Sequence, residues 1–397
     1  MNRFWSPKLG DFTEPVGTWS PVLNARKKFR YIDLSAVDQE AKAITAAALV
    51  EPQDAPSRAR QLVRTNDILV STVRPNLNAV ARVTEEFDGA TASTGFCVLR
   101  PSPDKVDSTY LFHWVRTPRF IEDMVRNATG ASYPAVSDRI VKASLFPLPP
   151  LDEQRRIAAI LDEADALRQK RKRAIALLDG LTQSIFLEIF GDPLVNDRSW
   201  PTAPIGDLLT RIDSGWSPVC LDGPAADDEW GVLKLSAVTT GQYLAAEQKA
   251  LPRELDPRPA LEVREGDVLF TRKNTRDLVA ATALVGPTRA KLMLSDLIFR
   301  LVPGADLLPE FLWAALSYPT LRASIQSLVG GAAGSMPNIS KEKLRSVTLI
   351  RPSFVVQRSF AAVVSQHRNL KTPATRSLAG LDRAFSSLQH RAFSGQL

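Results

Sequence analysis

The chain repeats itself. Trp19-Ser20-Pro21 returns as Trp216-Ser217-Pro218, Leu34-Ser35-Ala36-Val37 as Leu235-Ser236-Ala237-Val238, and Asp67-Ile68-Leu69 as Asp267-Val268-Leu269. Leu9-Gly10-Asp11 matches Ile205-Gly206-Asp207, Pro118 matches Pro319, and Ser132-Tyr133-Pro134 matches Ser335-Met336-Pro337. One such match is weak. Several in the same order at nearly constant separation require two copies of one folding unit, and any fold proposed for the chain must be built twice.

Each copy ends in a long helical pattern. From Leu151 to Phe190 there is no proline and one glycine, Gly180, after the proline-rich start Pro147-Leu148-Pro149-Pro150. Apolar or small residues recur at heptad spacing, with Ile157, Ala164, Leu178 and Ile185 in one seam and Ile160, Leu167, Ala174 and Leu181 in another; Arg171 interrupts the first. This predicts a helix of roughly 60 Å that needs a partner along its length. The partner is the second copy. At an offset of 203 the seams become Phe360, His367, Leu381 and Leu388, and Val363, Leu370, Ser377 and Ala384. Pro149, Gln154 and Arg155 likewise return as Pro352, Gln357 and Arg358. Pro373 lies inside the second pattern and would cost about 3 kcal/mol in a helix interior, so a break or kink is expected there, with Thr372 capping a fresh helix.

The larger segments read as mixed α/β. Short β-like runs at 29–37, 67–73, 96–99, 267–271 and 297–302 are bounded by turn residues, and helix-length stretches follow at 109–125 and 309–328. Each stretch runs into a small-residue loop, at Thr129-Gly130-Ala131 and at Gly330–Gly334. The predicted class is α+β, with two similar α/β domains separated by two long helices that pair as an antiparallel coiled coil. The boundaries are 1–150 for the first domain, 151–191 for the central helix, 192–352 for the second domain and 353–397 for the C-terminal helix.

Composition narrows the function classes. A formal charge of +7 and a pI near 9.5 favour nucleic acid or an acidic partner over a neutral metabolite. Cys97 and Cys220 stand alone and there are three histidines, which gives neither a disulfide framework nor a thiolate metal cluster. No cofactor loop, methyltransferase motif or phosphate-binding lysine loop is evident, and Pro103-Asp104-Lys105 is a weak echo of nuclease carboxylates. With no leader-like apolar segment at the start and no run of about 18 apolar residues, a soluble cytoplasmic protein without a membrane partner is expected.

The order of parts resembles the specificity subunits of type I restriction-modification systems. The residues that carry the resemblance are Leu148-Pro149-Pro150-Leu151-Asp152-Glu153-Gln154-Arg155-Arg156-Ile157-Ala158, with Ile189-Phe190-Gly191-Asp192 at the far end of the helix. The second copy departs from that pattern, reading Arg351-Pro352-Ser353-Phe354-Val355-Val356-Gln357-Arg358 without an acidic residue before the glutamine. The resemblance implies a non-catalytic, DNA-reading protein used in host defence. Each domain would read half of a split, asymmetric site in double-stranded DNA. The paired helices would space the halves and carry two methyltransferase subunits, joined by motor-nuclease subunits. Half-sites read from one face of the duplex would lie about one turn, roughly 34 Å, apart. A scaffold that holds partner proteins without reading DNA is the alternative.

The candidate DNA contacts lie in repeat-equivalent loops. Arg74, Asn76 and Asn78 follow a predicted strand in copy one; Arg272, Lys273, Asn274 and Arg276 follow its counterpart. Arginine suits guanine and asparagine suits adenine in the major groove, while solvated turn residues are the plainer reading. Ser132 and Tyr133, matched by the segment from Ser335 to Asn338, form a second loop that suits either base edges or simple capping. Lys27, Lys28 and Arg30, with neighbouring Arg26, form a basic cluster fit for phosphate or for an ordinary exposed edge. The run Arg168–Arg173 reads as a solvated helix face or subunit contact, and Trp19 and Trp216 read as core.

Overall fold

The structure is a computed structural model that describes residues 4–24, 27–330 and 336–397. The chain divides into two units, Met1–Ala174 with Ala374–Leu397, and Ile175–Pro373. Both divisions fall within the long helices.

In the first unit, strands Thr13–Glu14, Phe96–Pro101, Ile68–Ser71 and Val80–Arg82 form an antiparallel sheet in that order. Ile68–Ser71 and Phe96–Pro101 are buried at every position, so they read as continuous apolar runs rather than alternating ones. Alternation survives in what each face meets. Ile68, Val70, Cys97 and Leu99 pack with the helices, while Leu69, Phe96 and Val98 pack toward a second sheet. That sheet has the order Ala48–Val50, Phe29–Ile32, Thr91–Ser93, Ala59–Leu62, with a parallel central pair. The second unit repeats the plan. Leu209–Ser214, Ile298–Pro303, Val268–Thr271 and Thr282–Leu284 form the antiparallel sheet; Gln248–Ala250, Gly231–Leu233 and Leu292–Met293 form the smaller one, again with a parallel pair.

The repeated Asp67 and Asp267 have a structural cause. Asp67 is buried and takes two hydrogen bonds from Arg100, at 2.9 and 2.7 Å. In the second unit Arg300 is held between Asp213 at 2.7 Å and Asp267 at 3.3 Å. Removing one partner from such a pair would leave an uncompensated buried charge, which is why both members recur.

The helix expected over 109–125 is two helices, Ser108–Trp114 and Pro118–Arg126. Pro118 occupies the first turn, and the Thr117 hydroxyl accepts the Phe120 N–H at 3.2 Å. The stretch 309–328 divides in the same way into Pro309–Ser317 and Pro319–Ser327. A proline tolerated at a helix start is a stop signal for the helix before it.

The long helices are Leu151–Phe190 and Phe354–Ser394, each ended by a glycine in the left-handed region, Gly191 at φ 74° and Gly395 at φ 75°. Within the first unit they run antiparallel: Arg156 donates to the Leu397 carbonyl at 2.9 Å, and Arg168 pairs with Asp382 at 2.8 Å beneath the Phe385 ring. Within the second, Lys371 pairs with Asp179, Thr182 bonds His367 at 2.9 Å, and Phe186 packs edge-on to Phe360. Arg168–Asp382 and Lys371–Asp179 occupy matched repeat positions.

Two expectations about these helices need correction. The C-terminal helix does not break at Pro373; it is continuous, and Thr372 caps no new helix. Pro373 and Asn369 lie on the exposed side, where water can serve the carbonyl that has lost its N–H partner. The first seam is placed correctly, with Ile157 and Phe360 fully buried. The second seam is one residue off. Leu167, Leu181 and Leu370 are exposed; the companions turned inward are buried Leu161 and Thr182 with half-buried Arg168 and Ile175, matched by buried Val364 and Phe385 with half-buried Lys371 and Leu378. Arginine, lysine and threonine interrupt the true seam, so a count of apolar residues favours the wrong neighbour.

Gln154 and Gln357 fasten the helix starts. Both are fully buried. The Gln154 side chain accepts the Asp107 N–H at 2.9 Å and donates to the carbonyls of Lys105 and Pro149, both at 2.9 Å. Gln357 accepts from Leu308 at 2.9 Å and donates to Asp306 at 3.0 Å and Pro352 at 2.9 Å. Replacing Gln154 with Leu leaves one N–H and two carbonyls short of a partner. At roughly 1–3 kcal/mol for each buried polar group left unpaired, Q154L is expected to lower stability by about 3 kcal/mol or more in urea denaturation. Pro373→Ala is expected to act in the opposite direction. Restoring the rung recovers up to about 3 kcal/mol, less up to about 1 kcal/mol for the freer unfolded chain, and a raised melting temperature is the readout.

Candidate nucleic-acid interface

In each unit the two sequence-matched loops come together. In the first, the chain leaves strand Ile68–Ser71 and Val73 bridges Ala135. The Arg74 N–H donates to the Pro134 carbonyl at 2.7 Å, and the Val136 N–H donates to Thr72 at 2.9 Å. Thr129 and Ala135 exchange backbone hydrogen bonds of 2.9 Å, closing the second loop on itself. In the second unit Lys273 bridges Asn338, Asn274 N–H donates to Pro337 at 3.2 Å, and Ile339 N–H donates to Arg272 at 2.8 Å. Gly330 and Asn338 close that loop as Thr129 and Ala135 close the first. The backbone frame is therefore common to both units.

The side chains on the frame differ in exposure. Arg74 and Asn76 project from a short 3-10 turn, Pro75–Leu77, anchored by the buried Pro75 and flanked by left-handed Arg74 at φ 50° and Asn78 at φ 46°. Ser132 and Tyr133 are exposed beside them, and the Arg74 guanidinium lies 4.8 Å from the Tyr133 ring centre. Asn78 does not belong to this surface. It is buried, its amide donates to the Val115 carbonyl at 2.9 Å, and its carbonyl oxygens accept from Lys42. Burial, followed by the nearby charge of Arg116, lowers the Lys42 ammonium to about 8. Lys42 itself lies outside the matched repeat segments, so the sequence carries no signal for it.

The second unit shows the same division. Arg276 is exposed and Lys273 half-buried. Asn274 is buried, donating to the Thr239 hydroxyl at 3.2 Å and accepting the Thr275 N–H at 2.8 Å, so it too is committed within the fold. Arg272 donates to the Asp296 carbonyl at 3.2 Å and lies over Phe299. Asn338 is half-buried in the bridge, and its side-chain oxygen is buried without a hydrogen-bond partner. Ser335 lies outside the described residues, as does Arg26 of the basic cluster.

The rest of that cluster belongs to the second sheet of the first unit. Lys27 is exposed, but Lys28 pairs with Glu51 at 2.8 Å. Arg30 bonds Glu86 and lies over Phe87. Its cations are thus partly neutralised in place. In the run from Arg168, Lys170, Arg171 and Arg173 are exposed, while Arg168 is taken up by Asp165 and Asp382. Trp19 and Trp216 are half-buried packing groups, Trp19 against Phe29 and Trp216 under Arg258. Among the described residues no helix is long and apolar enough to cross a membrane.

Comparison with known proteins gives type I restriction-modification specificity subunits. The family described as Type I restriction modification DNA specificity domain matches residues 60–177, which include the first loop pair and much of the central helix. The EcoEI specificity subunit of Escherichia coli is 36% identical over 160 residues, covering 40% of this chain and 27% of that protein. The EcoKI specificity subunit of Escherichia coli K12 is 22% identical over 368 residues, covering 85% of this chain and 76% of that one. The aligned stretches thus span under a third of the EcoEI and EcoDI subunits, at 27% and 31% of their length. A solved chain from work on complex assembly and conformational transition of the type I R-M system is 26% identical, with a TM-score of 0.53 over 99% of this chain and 98% of that one. The S subunit from M. genitalium, 12% identical with a TM-score of 0.58 over 99% and 96%, shares the fold. With its duplicated α/β units and glutamine-fastened helices, the chain is similar to the specificity subunits of type I restriction-modification systems, and residues 60–177 match their DNA specificity domain.

Proposed function

We propose that this chain is the sequence-reading subunit of a type I restriction-modification complex and performs no catalysis itself. Its two target-recognition domains, 1–150 and 192–352, each read one half of a bipartite, asymmetric site in double-stranded DNA. The helices, 151–191 and 353–397, pair as an antiparallel coiled coil, set the spacer between the halves, and carry two methyltransferase subunits. Motor-nuclease subunits join that assembly in the cytoplasm. The observation that carries the reading is the loop pair, bridged in the same way in both units but bearing different side chains. A common frame with unlike chemistry is what a reader of two unlike half-sites requires.

Contact falls to the side chains that the frame leaves outside: Arg74, Asn76, Ser132 and Tyr133 in one domain, Lys273 and Arg276 in the other. Asn78 and Asn274 hold the frame from within. A protein-holding scaffold would need no such paired, solvent-facing polar loops, and it would leave no footprint on DNA.

Assembled with its methyltransferase subunits, the protein is expected to methylate one discontinuous motif. Affinity for that duplex should fall steeply with salt as phosphate contacts release counterions. Methylation mapping of the complex tests this, and the absence of any split motif would overturn it. Exchanging residues 1–150 for another family member's reader should rewrite one half-site and leave the other intact. A change in both halves would refute one-domain, one-half reading.

A further inference from the structure

We propose that Arg74 reads a guanine in the half-site of the first domain, with Tyr133 as the residue that positions it, and that the second domain has no counterpart to this pair. The inference rests on the DNA-reading function proposed above and adds to it a base and a residue.

Four observations converge on Arg74. Its backbone is held at φ 50°, a left-handed conformation that an arginine rarely adopts. The chain pins it there by the 2.7 Å bond to Pro134, the bridge between Val73 and Ala135, and the buried Pro75 that follows. Strained backbone fixed by its surroundings is characteristic of residues that must present a side chain in one direction. The guanidinium then lies against the Tyr133 ring at 4.8 Å, and no carboxylate among the described residues pairs with it. Most of the arginines named above are spent on carboxylates or carbonyls. This one is oriented and left unspent.

Tyr133 is also out of place as a packing residue. It is 69% exposed at the tip of its loop, so its ring contributes little to the core. A ring that covers one face of a guanidinium leaves the planar fork of N–H donors free at the edge. That fork matches the O6 and N7 acceptors that guanine presents in the major groove, and no other base presents two acceptors there. A lysine could supply the charge but not the fork. Holding the plane beforehand also removes rotamer freedom that would otherwise be lost on binding.

The second domain uses the same backbone for something else. The position that matches Arg74 by its bond to the facing loop is Asn274, which is buried and internally bonded. The position that matches Tyr133 is Met336, 46% exposed. Neither the fork nor the ring recurs, so the guanine contact is confined to one half-site.

The test uses the complex assembled with its methyltransferase subunits, carrying R74K, R74A, Y133A or Y133F, and maps the bases required for methylation. R74K and R74A should lose discrimination at a single guanine·cytosine position of one half-site by roughly tenfold to a hundredfold. The second half-site, unchanged, serves as the internal control for folding. Y133A should relax the same position, and Y133F, which keeps the ring, should restore it. Two results overturn the proposal: uniform weakening across all sequences with a shallower salt dependence, the mark of a phosphate contact, or relaxation at a position that is not guanine. If the wild-type complex shows no bipartite motif at all, it is the underlying DNA-reading function that fails. A normal wild-type motif left unchanged by R74K sinks the guanine assignment alone.

Discussion

Each unit depends on a fully buried glutamine amide at the start of a long helix. Gln154 and Gln357 each satisfy one backbone N–H and two carbonyls with no help from charge. Such a group is costly unless every partner is present, so it fixes the helix to the globular part in one geometry. Residues further along the same helices then complete the cores: Ile157, Leu161, Phe385 and Phe393 in one unit, Phe186, Phe190, Phe360 and Val364 in the other. Each core therefore draws on segments about two hundred residues apart in the chain, and neither long helix serves one unit alone.

The duplication was legible in the sequence because it is enforced by buried and backbone-level constraints. The Asp67 and Asp267 anchors, the prolines at 118 and 319 and the two glutamines recur because each answers a local demand that the fold makes twice. The second heptad seam was not legible. Its members include Arg168, Lys371 and Thr182, whose burial depends on Asp382, Asp179 and His367 reaching them from the other helix. A pattern drawn from apolar residues has no means of registering a seam made of ion pairs. Continuity at Pro373 escaped for a related reason: propensity counts the lost bond, whereas packing of the helix on either side outweighs it.

The candidate contacts divide along a similar line. Residue type marked Asn76 and Asn78 equally as loop amides, yet one is exposed and the other buried against Val115 and Lys42. What separates them is the left-handed turn at 78, which no alternation or periodicity reveals. The sequence repeat marks corresponding loops in the two copies but not that the two loops of one copy meet; the bridges between 73 and 135 and between 273 and 338 join them.

On the function proposed above, the retention of these bridges in both copies is also how one fold would serve two different half-sites. Strand ends, bridges and buried turn residues carry the frame, and they are the features the copies share. The residue set on the frame differs between the copies: Arg74 and Asn274 make the same backbone bond to the facing loop, but the Arg74 side chain is left in solvent while that of Asn274 is bonded inside the fold. Exchange at an exposed position such as Arg74 alters what is presented without disturbing what presents it. A duplicated chain can therefore diverge in what its two loop pairs present at small structural cost, as the difference between Arg74 and Asn274 illustrates.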